Sequence, residues 1–158
     1  MRPTNLLRGL MAGLGILAAI GMSGCIYPVP VTEAATRGVE PGLVGEWMSA
    51  DGKNRLEVRR YDDRNAVVVL NGLVLRAYHS EVAGLPLVTL QELESPERKY
   101  AYVTWQLADG GNRLEWRAVS RKVVPEDLGT TALVRARLEK ERDNPALLEA
   151  VQVYERKR

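Results

Sequence analysis

The sequence predicts a mainly β fold, an eight-stranded antiparallel meander that closes as a barrel, with a short helical insert before the last strand. Two observations predict it. From residue 43 onward, clusters rich in Asp, Asn and Gly divide the chain at regular intervals, as do the tight turns that join antiparallel strands. Between the clusters, apolar and charged residues alternate, for example over residues 55–59, so each strand has one buried and one wet face.

The alternation also places the individual strands. We expect them near residues 43–48, 54–61, 65–71, 73–82, 85–92, 99–108, 112–119 and 150–156. Antiparallel strands in sequence order can close into an up-and-down barrel, which removes exposed sheet edges. An open meandering sheet or a two-sheet sandwich would show the same alternation, so closure is an inference.

A helical insert at about residues 121–149 interrupts the two-residue period. Pro125 and the pair Asn144-Pro145 are typical of helix starts, and Thr130 or Thr131 can cap a helix over residues 132–142. We expect this helix to cover a core as a lid or plug on one barrel end, as amphipathic surface helices do. A helix that binds a partner is the alternative.

The first 24 residues resemble a bacterial lipoprotein signal peptide. Arg2 and Arg8 precede an uncharged apolar run over residues 10–22, and Ser23-Gly24 leads to Cys25, the one cysteine of the sequence. The resemblance implies cleavage before Cys25 and lipid attachment to its sulfur. The run is shorter than the roughly 20 apolar residues of a transmembrane helix. A conventional cleaved signal is the alternative, although it would leave a lone thiol exposed in an oxidising compartment.

This resemblance divides the chain into a signal peptide at 1–24, a lipidated N-terminus and flexible tether at 25–40, and a barrel domain at 41–158. Prolines in the tether favour an extended backbone with a reach of up to about 50 Å; a docking segment at residues 27–31 is the alternative. We expect a lipid-anchored protein of the bacterial envelope. Ile26 after the cysteine is not the Asp that retains many such proteins at the inner membrane in enteric bacteria, so we expect the outer membrane, facing the periplasm.

The charge balance argues against nucleic acid as a partner. The sequence has 22 Lys and Arg against 20 Asp and Glu, but Arg2 and Arg8 lie in the signal peptide, which contains no acid. The remaining 20 basic and 20 acidic residues balance, whereas nucleic-acid-binding domains usually carry a net positive charge.

Gly45-Glu46-Trp47 resembles the Gly-x-Trp opening of lipocalins and other calycins. The resemblance implies that Trp47 closes one barrel end and that Arg156, near the end of the last strand, packs across it. Residues 42–158 as a whole resemble a recurrent type of bacterial lipoprotein with a small lipocalin-like barrel. Lipocalins carry their main helix after the eighth strand, whereas this helix precedes it, which places a lipocalin-like cavity in doubt.

Tryptophans are the main candidates for the barrel interior. The sequence has no Phe, so Trp47, Trp105 and Trp116 are, with the tyrosines, its bulky fillers. A barrel of this size is just wide enough to be filled by its own side chains or to hold one small ligand. We expect core plugs, with the wall of a ligand cavity as the alternative.

The sequence offers little for catalysis. His79 is the one histidine, and its neighbour Ser80 points to the opposite face of a strand, so the two do not form a dyad. One His and one Cys are too few for a zinc site, and neither a phosphate loop nor a dinucleotide fingerprint is present. We therefore expect no catalytic residues, no metal and no cofactor.

Three functions remain open at this stage. The first is a non-enzymatic binding or interaction module anchored in the envelope, with an envelope protein as partner. The second is a carrier of a small apolar ligand inside the barrel, and the third is an enzyme of unfamiliar type.

Overall fold

The computed structural model describes residues 26–157, which form a closed antiparallel β-barrel, so the predicted fold class is confirmed. Eight strands lie within this range, each paired with the next and the last paired with the first. They are β1 (Gly45–Ser49), β2 (Arg55–Arg60), β3 (Asn65–Leu70), β4 (Leu73–Val82), β5 (Leu85–Glu92), β6 (Tyr100–Ala108), β7 (Arg113–Ala118) and β8 (Gln152–Arg156). Pairing of Trp47 with Arg156 contributes to the closure between β1 and β8.

Tight turns explain why the strand bounds could be predicted closely. The hairpin between β3 and β4 turns at Asn71 and Gly72, whose φ angles of 50° and 93° are those that a two-residue hairpin turn requires. Asn and Gly tolerate positive φ better than other residues, so these two residue types favour this turn. β4 and β5 begin and end at the residues we expected.

The barrel has two different ends. The sealed end carries the turns at 61–64, 83–84 and 109–112 and a 3-10 turn, Pro41–Leu43, that precedes β1. The other end, the mouth, carries the turns at 50–54 and 71–72, the loop at 93–99 and the segment 119–151. β4 spans ten residues; at about 3.3 Å per residue and a tilt of about 40°, the two ends lie roughly 25 Å apart.

One set of buried side chains fills the barrel and forms the inner core. It alternates with outward side chains along each strand, as the period predicts. Its larger members are Leu43, Trp47, Leu56, Leu75, Leu90, Leu114, Trp116 and Tyr154.

A second set, the outer core, lies on the outside of the wall formed by β4, β5 and β6. Val82, Leu87 and Tyr102 face away from the barrel and are nevertheless buried. Two segments of the chain cover them: helix α1 (Thr131–Glu141) with its flanking turns, and the residues that precede β1.

Helix α1 confirms the predicted helix, but it packs at a different place on the barrel than we expected. Thr130 caps it by accepting a hydrogen bond from the Leu133 amide at 3.2 Å. Val134 and Leu138 are buried in the outer core, so the helix packs on the barrel wall rather than over an end as a lid. The segments at 125–128 and 144–147, which we expected to start helices, form turns instead. No helix within residues 26–157 is long and apolar enough to cross a membrane.

Residues 26–40 correct the expectation of a flexible tether. Every fourth side chain of this segment is buried: Tyr27, Val31, Ala35 and Val39. Tyr102 and Tyr78 donate hydrogen bonds from the barrel wall to its carbonyls, at Val29 and Thr32. The backbone of this segment bends repeatedly, and its carbonyls and apolar side chains have partners on the wall, so the segment is part of the fold.

Candidate functional site

The sealed end is held together by Trp47 and Arg156. Trp47 is 0% exposed, and its Nε1 donates a hydrogen bond to the Leu43 carbonyl at 2.9 Å. The Arg156 guanidinium lies 4.2 Å from the centroid of the Trp47 ring, the arrangement that the lipocalin resemblance implied for this pair. It also donates hydrogen bonds to three backbone carbonyls, those of Gly42, Val44 and Gly111.

The local geometry explains why the Gly-x-Trp motif has a glycine at position 45. Gly45 has a φ of 144°, a conformation that other residues rarely adopt. A Cβ at this position would lie 2.6 Å from Arg156 Nη1. Gly45 therefore makes room for the arginine that seals this end, and these contacts leave the end structural rather than open to a ligand.

The middle of the barrel is nearly full. A cavity of about 20 Å³ remains there, lined among others by Leu75, Trp105 and Trp116. This volume is about the size of one water molecule. The inner core thus fills most of the barrel below the mouth; Trp47 is fully buried in it, whereas Trp105 and Trp116 also line larger cavities.

The mouth is open and contains a cavity of about 410 Å³. Its floor is mostly apolar and consists of residues such as Leu70, Leu73, Ala101, Val103, Trp116 and Ala118. Polar side chains surround the floor: Asn54, Asn71, Arg121, Glu149, Gln152 and the hydroxyl-bearing Tyr154. Such a concave apolar surface with a few polar groups is typical of small-molecule sites, which measure about 300–1,000 Å³.

Hydrogen bonds fix part of the rim. Asn71 donates from Nδ2 to Asn54 Oδ1 at 2.8 Å and accepts a hydrogen bond from the Arg55 amide at 2.8 Å. The two asparagines therefore join neighbouring turns into one rigid edge. Arg121 is exposed and forms no ion pair within residues 26–157, so its charge faces solvent at the rim.

Trp116 connects the floor to the polar groups. Its ring is 6.5 Å from that of Tyr154, and its Nε1 has no hydrogen-bond acceptor at bonding geometry in the described part of the chain. Burial raises the pKa of Tyr154, and a hydrogen-bonding interaction with the Trp116 indole opposes that rise, so the Tyr154 hydroxyl lies near the indole N–H but outside good hydrogen-bond geometry. A buried N–H donor beside a cavity is a group that a ligand oxygen could satisfy.

A smaller cavity of about 280 Å³ opens through the barrel wall near the sealed end. The pairing of β5 with β6 runs from Val88 to Gln91, so the first residues of β5 separate from β6. His79 and Trp105 line the gap, with ring centroids 4.9 Å apart. Burial, with a smaller contribution from the Arg37 charge, lowers the pKa of His79 to about 4.

Among residues 26–157, no side chain is placed beside His79 as a catalytic dyad would require. Ser80 lies on the opposite face of β4, as predicted, where its hydroxyl is 2.6 Å from that of Thr32. The His79 Nε2 atom has no hydrogen-bond partner among residues 26–157. Within the same range no three metal-ligating side chains lie together.

The predicted site residues therefore separate. Trp47 and Arg156 lie at the sealed end, Trp105 lies near the wall gap, and Trp116 lies at the mouth. Cys25 lies outside the described residues. Sequence reasoning missed Ile26, Tyr27 and Arg121 as lining residues of the mouth, because nothing in their local pattern shows which segment folds back onto the barrel.

Comparisons with protein-family models, with curated proteins and with solved structures find no match for this chain. The likeness to lipocalins therefore depends on the architecture. Within residues 26–157 the chain is a closed eight-stranded antiparallel barrel, compatible with a lipocalin-like fold, that is sealed at one end and open at the other.

Proposed function

We propose that this protein is a non-enzymatic binding protein, lipid-anchored in the bacterial cell envelope, that takes a small molecule with an apolar body into the mouth of its barrel. The observation that carries the proposal is the mouth, whose volume of about 410 Å³ is in the range of small-molecule pockets. Its apolar floor would bind the body of the ligand. Arg121, Glu149 and Gln152 at the rim would contact a polar end.

The anchor is supported by the sequence pattern that ends at Cys25. A lipidated cysteine carrying two or more acyl chains holds a protein stably at a membrane, whereas one chain holds it marginally. We propose the outer membrane, facing the periplasm, because Ile26 follows the cysteine. Mass spectrometry of the purified chain tests lipidation, with Cys25→Ser as the control. An unchanged mass and unchanged membrane retention in this variant would contradict the anchor, and recovery in the inner-membrane fraction would contradict the outer location.

A protein partner in the envelope is the second candidate. It is favoured by the filled middle of the barrel and by Leu133, which is 53% exposed on helix α1. Crosslinking in intact cells tests it. A partner that is lost in Leu133→Asp would support a role for this surface.

Ligand binding is tested by native mass spectrometry of residues 26–158, secreted to a bacterial periplasm and purified without detergent. An extra mass at one copy per chain is the expected result. The matched pair of variants is Ala118→Leu, which adds a larger side chain to the floor of the mouth, and Ala136→Leu, which makes the same substitution at an exposed position of helix α1. Loss of the extra mass in the first variant alone supports the mouth as the site. A bare mass for the unmodified chain, together with no uptake of a fluorescent fatty acid, would contradict the proposal.

A further inference from the structure

The described chain begins at the rim of the mouth. Ile26 and Tyr27 both line the cavity. Their amides donate hydrogen bonds to the Tyr100 carbonyl at 2.8 and 2.9 Å, and the Tyr27 carbonyl accepts one from the Tyr100 amide at 2.9 Å. This pairing extends the edge of β6 and fixes the backbone of Ile26 in place.

Side-chain contacts of Tyr27 also hold this part of the chain against the barrel. Tyr27 is 1% exposed, and its ring stacks on Tyr102 with centroids 4.2 Å apart. Its hydroxyl donates to the Val124 carbonyl at 3.0 Å. The segment that a flexible tether would have occupied is thus bound to the barrel up to its first described residue.

The proposed anchor is attached one residue before Ile26, whose backbone is held at the rim of the mouth by the hydrogen bonds above. One residue of chain spans at most about 3.8 Å, so no long tether separates such an anchor from the mouth. A lipid attached at this position would therefore project from the protein beside the mouth, about 25 Å from the sealed end. The reach of about 50 Å that an extended tether would provide is absent.

Resting on the lipidation proposed above, we propose that the anchor holds the mouth against the membrane surface and that an acyl chain of a membrane phospholipid is the molecule that the mouth binds. The apolar floor suits an acyl chain, which has no polar atoms to satisfy. At the rim, Arg121 would meet an anionic headgroup, while Glu149 places an opposite charge there and limits the attraction.

Two exposed apolar side chains lie at the mouth, where this orientation would cover them; Val44 and Tyr61 are exposed at the sealed end, so the attachment point beside Ile26, and not exposure, sets the orientation. Val151 is 47% exposed and follows Ala150, which lines the cavity. Leu93 is 50% exposed in the loop after β5, at the same end. Contact with the bilayer interface would remove both from water.

Orientation is tested with the lipidated full-length chain in vesicles of phosphatidylethanolamine and phosphatidylglycerol. A lipidated Cys25 has no free thiol, so an introduced cysteine is a unique labelling site. The matched pair is Val151→Cys at the mouth and Tyr61→Cys at the sealed end, where Tyr61 is 77% exposed. With a fluorophore at each site and a quencher on the lipid acyl chains, we expect at least threefold stronger quenching at position 151. Equal quenching at the two sites would overturn the orientation.

A linker provides a second test that leaves the barrel unchanged. Twelve Gly and Ser residues between Cys25 and Ile26 would restore a reach of about 20 Å. Quenching at position 151 should then fall toward the value at position 61. Unchanged quenching would show that the short connection does not set the orientation.

The occupant is tested on residues 26–158 incubated with vesicles of one phospholipid and recovered without detergent. Native mass spectrometry should show one phospholipid per chain, and the Ala118→Leu variant should lose it. A bound molecule other than phospholipid would overturn this inference and leave the proposed binding function standing. Absence of lipid on Cys25 in the full chain would instead contradict the anchor itself.

Discussion

Replacement of Tyr27 by Ala distinguishes a structural N-terminal segment from a tether. Removing a buried aromatic side chain costs about 3–5 kcal/mol, and its stacking on Tyr102 and its hydrogen bond to the Val124 carbonyl place Tyr27→Ala near about 4 kcal/mol. This is a large part of the roughly 5–15 kcal/mol by which domains are stable. Tyr27→Phe removes the hydroxyl alone and should cost about 1–2 kcal/mol.

The assay is urea unfolding of residues 26–158, followed by tryptophan fluorescence and circular dichroism. With a slope of about 2 kcal/mol per molar urea, Tyr27→Ala should lower the midpoint by about 2 M. Tyr61→Ala is the matched control, because Tyr61 is 77% exposed and its loss should leave the midpoint unchanged. If Tyr27→Ala unfolds at the same urea concentration as the unmodified chain, residues 26–40 are not part of the fold and the inference about the mouth fails with them.

Three further variants test other parts of the structure. Arg156→Ala removes hydrogen bonds to three carbonyls and the contact with Trp47, so it should lower the free energy of unfolding by about 2–4 kcal/mol. Lys157→Ala is the control: Lys157 is the next residue but is exposed, so its loss should leave the urea midpoint unchanged. Gly45→Ala should cost about 1–3 kcal/mol in the same assay from backbone strain, and more if the Arg156 guanidinium cannot move away from the added Cβ. A midpoint equal to that of the unmodified chain would contradict both the strain and the close contact. His79 has a pKa of about 4 in the folded chain against 6.5 unfolded, so its neutral form stabilises the fold above pH 6.5 and this contribution is lost as the pH falls toward 4. The loss should be on the order of 1–2 kcal/mol once solvent screening is allowed for, and His79→Gln should remove that part of the pH dependence, as unfolding at pH 4.5 and 7.5 would show.

Local patterns in the sequence were sufficient for the barrel strands. Asn71 and Gly72 specify their turn by backbone preference, and the alternation around residues 55–59 specifies which faces are wet. Helix α1 was likewise predicted within one residue at each end, because Thr130 caps it through its own side chain. These signals depend on neighbours in the chain, and a sequence displays them directly.

The sequence could not show which of the outward-facing side chains of the barrel are buried. Tyr102 alternates as a wet residue should, yet it is buried because residues 26–40 and helix α1 cover it. Prolines in that N-terminal segment indicate an extended backbone, which suits a tether and a docked segment equally. What separates the two is the set of partners supplied by β4, β5 and β6, which lie 40 to 75 residues away in the chain.

The sequence by itself determined the strands, the turns and the helix, since each depends on residues that are close in the chain; the lipoprotein-like pattern that ends at Cys25 is also local and stays a prediction. Only the tertiary structure decided which end of the barrel is sealed and which is open, where helix α1 packs, and that Ile26 lies at the mouth. The physical reason is that cavities and covered faces are produced by contacts between distant segments. A local pattern can report the propensity of a segment to form an element, but it does not report the surface on which that element finds its partners.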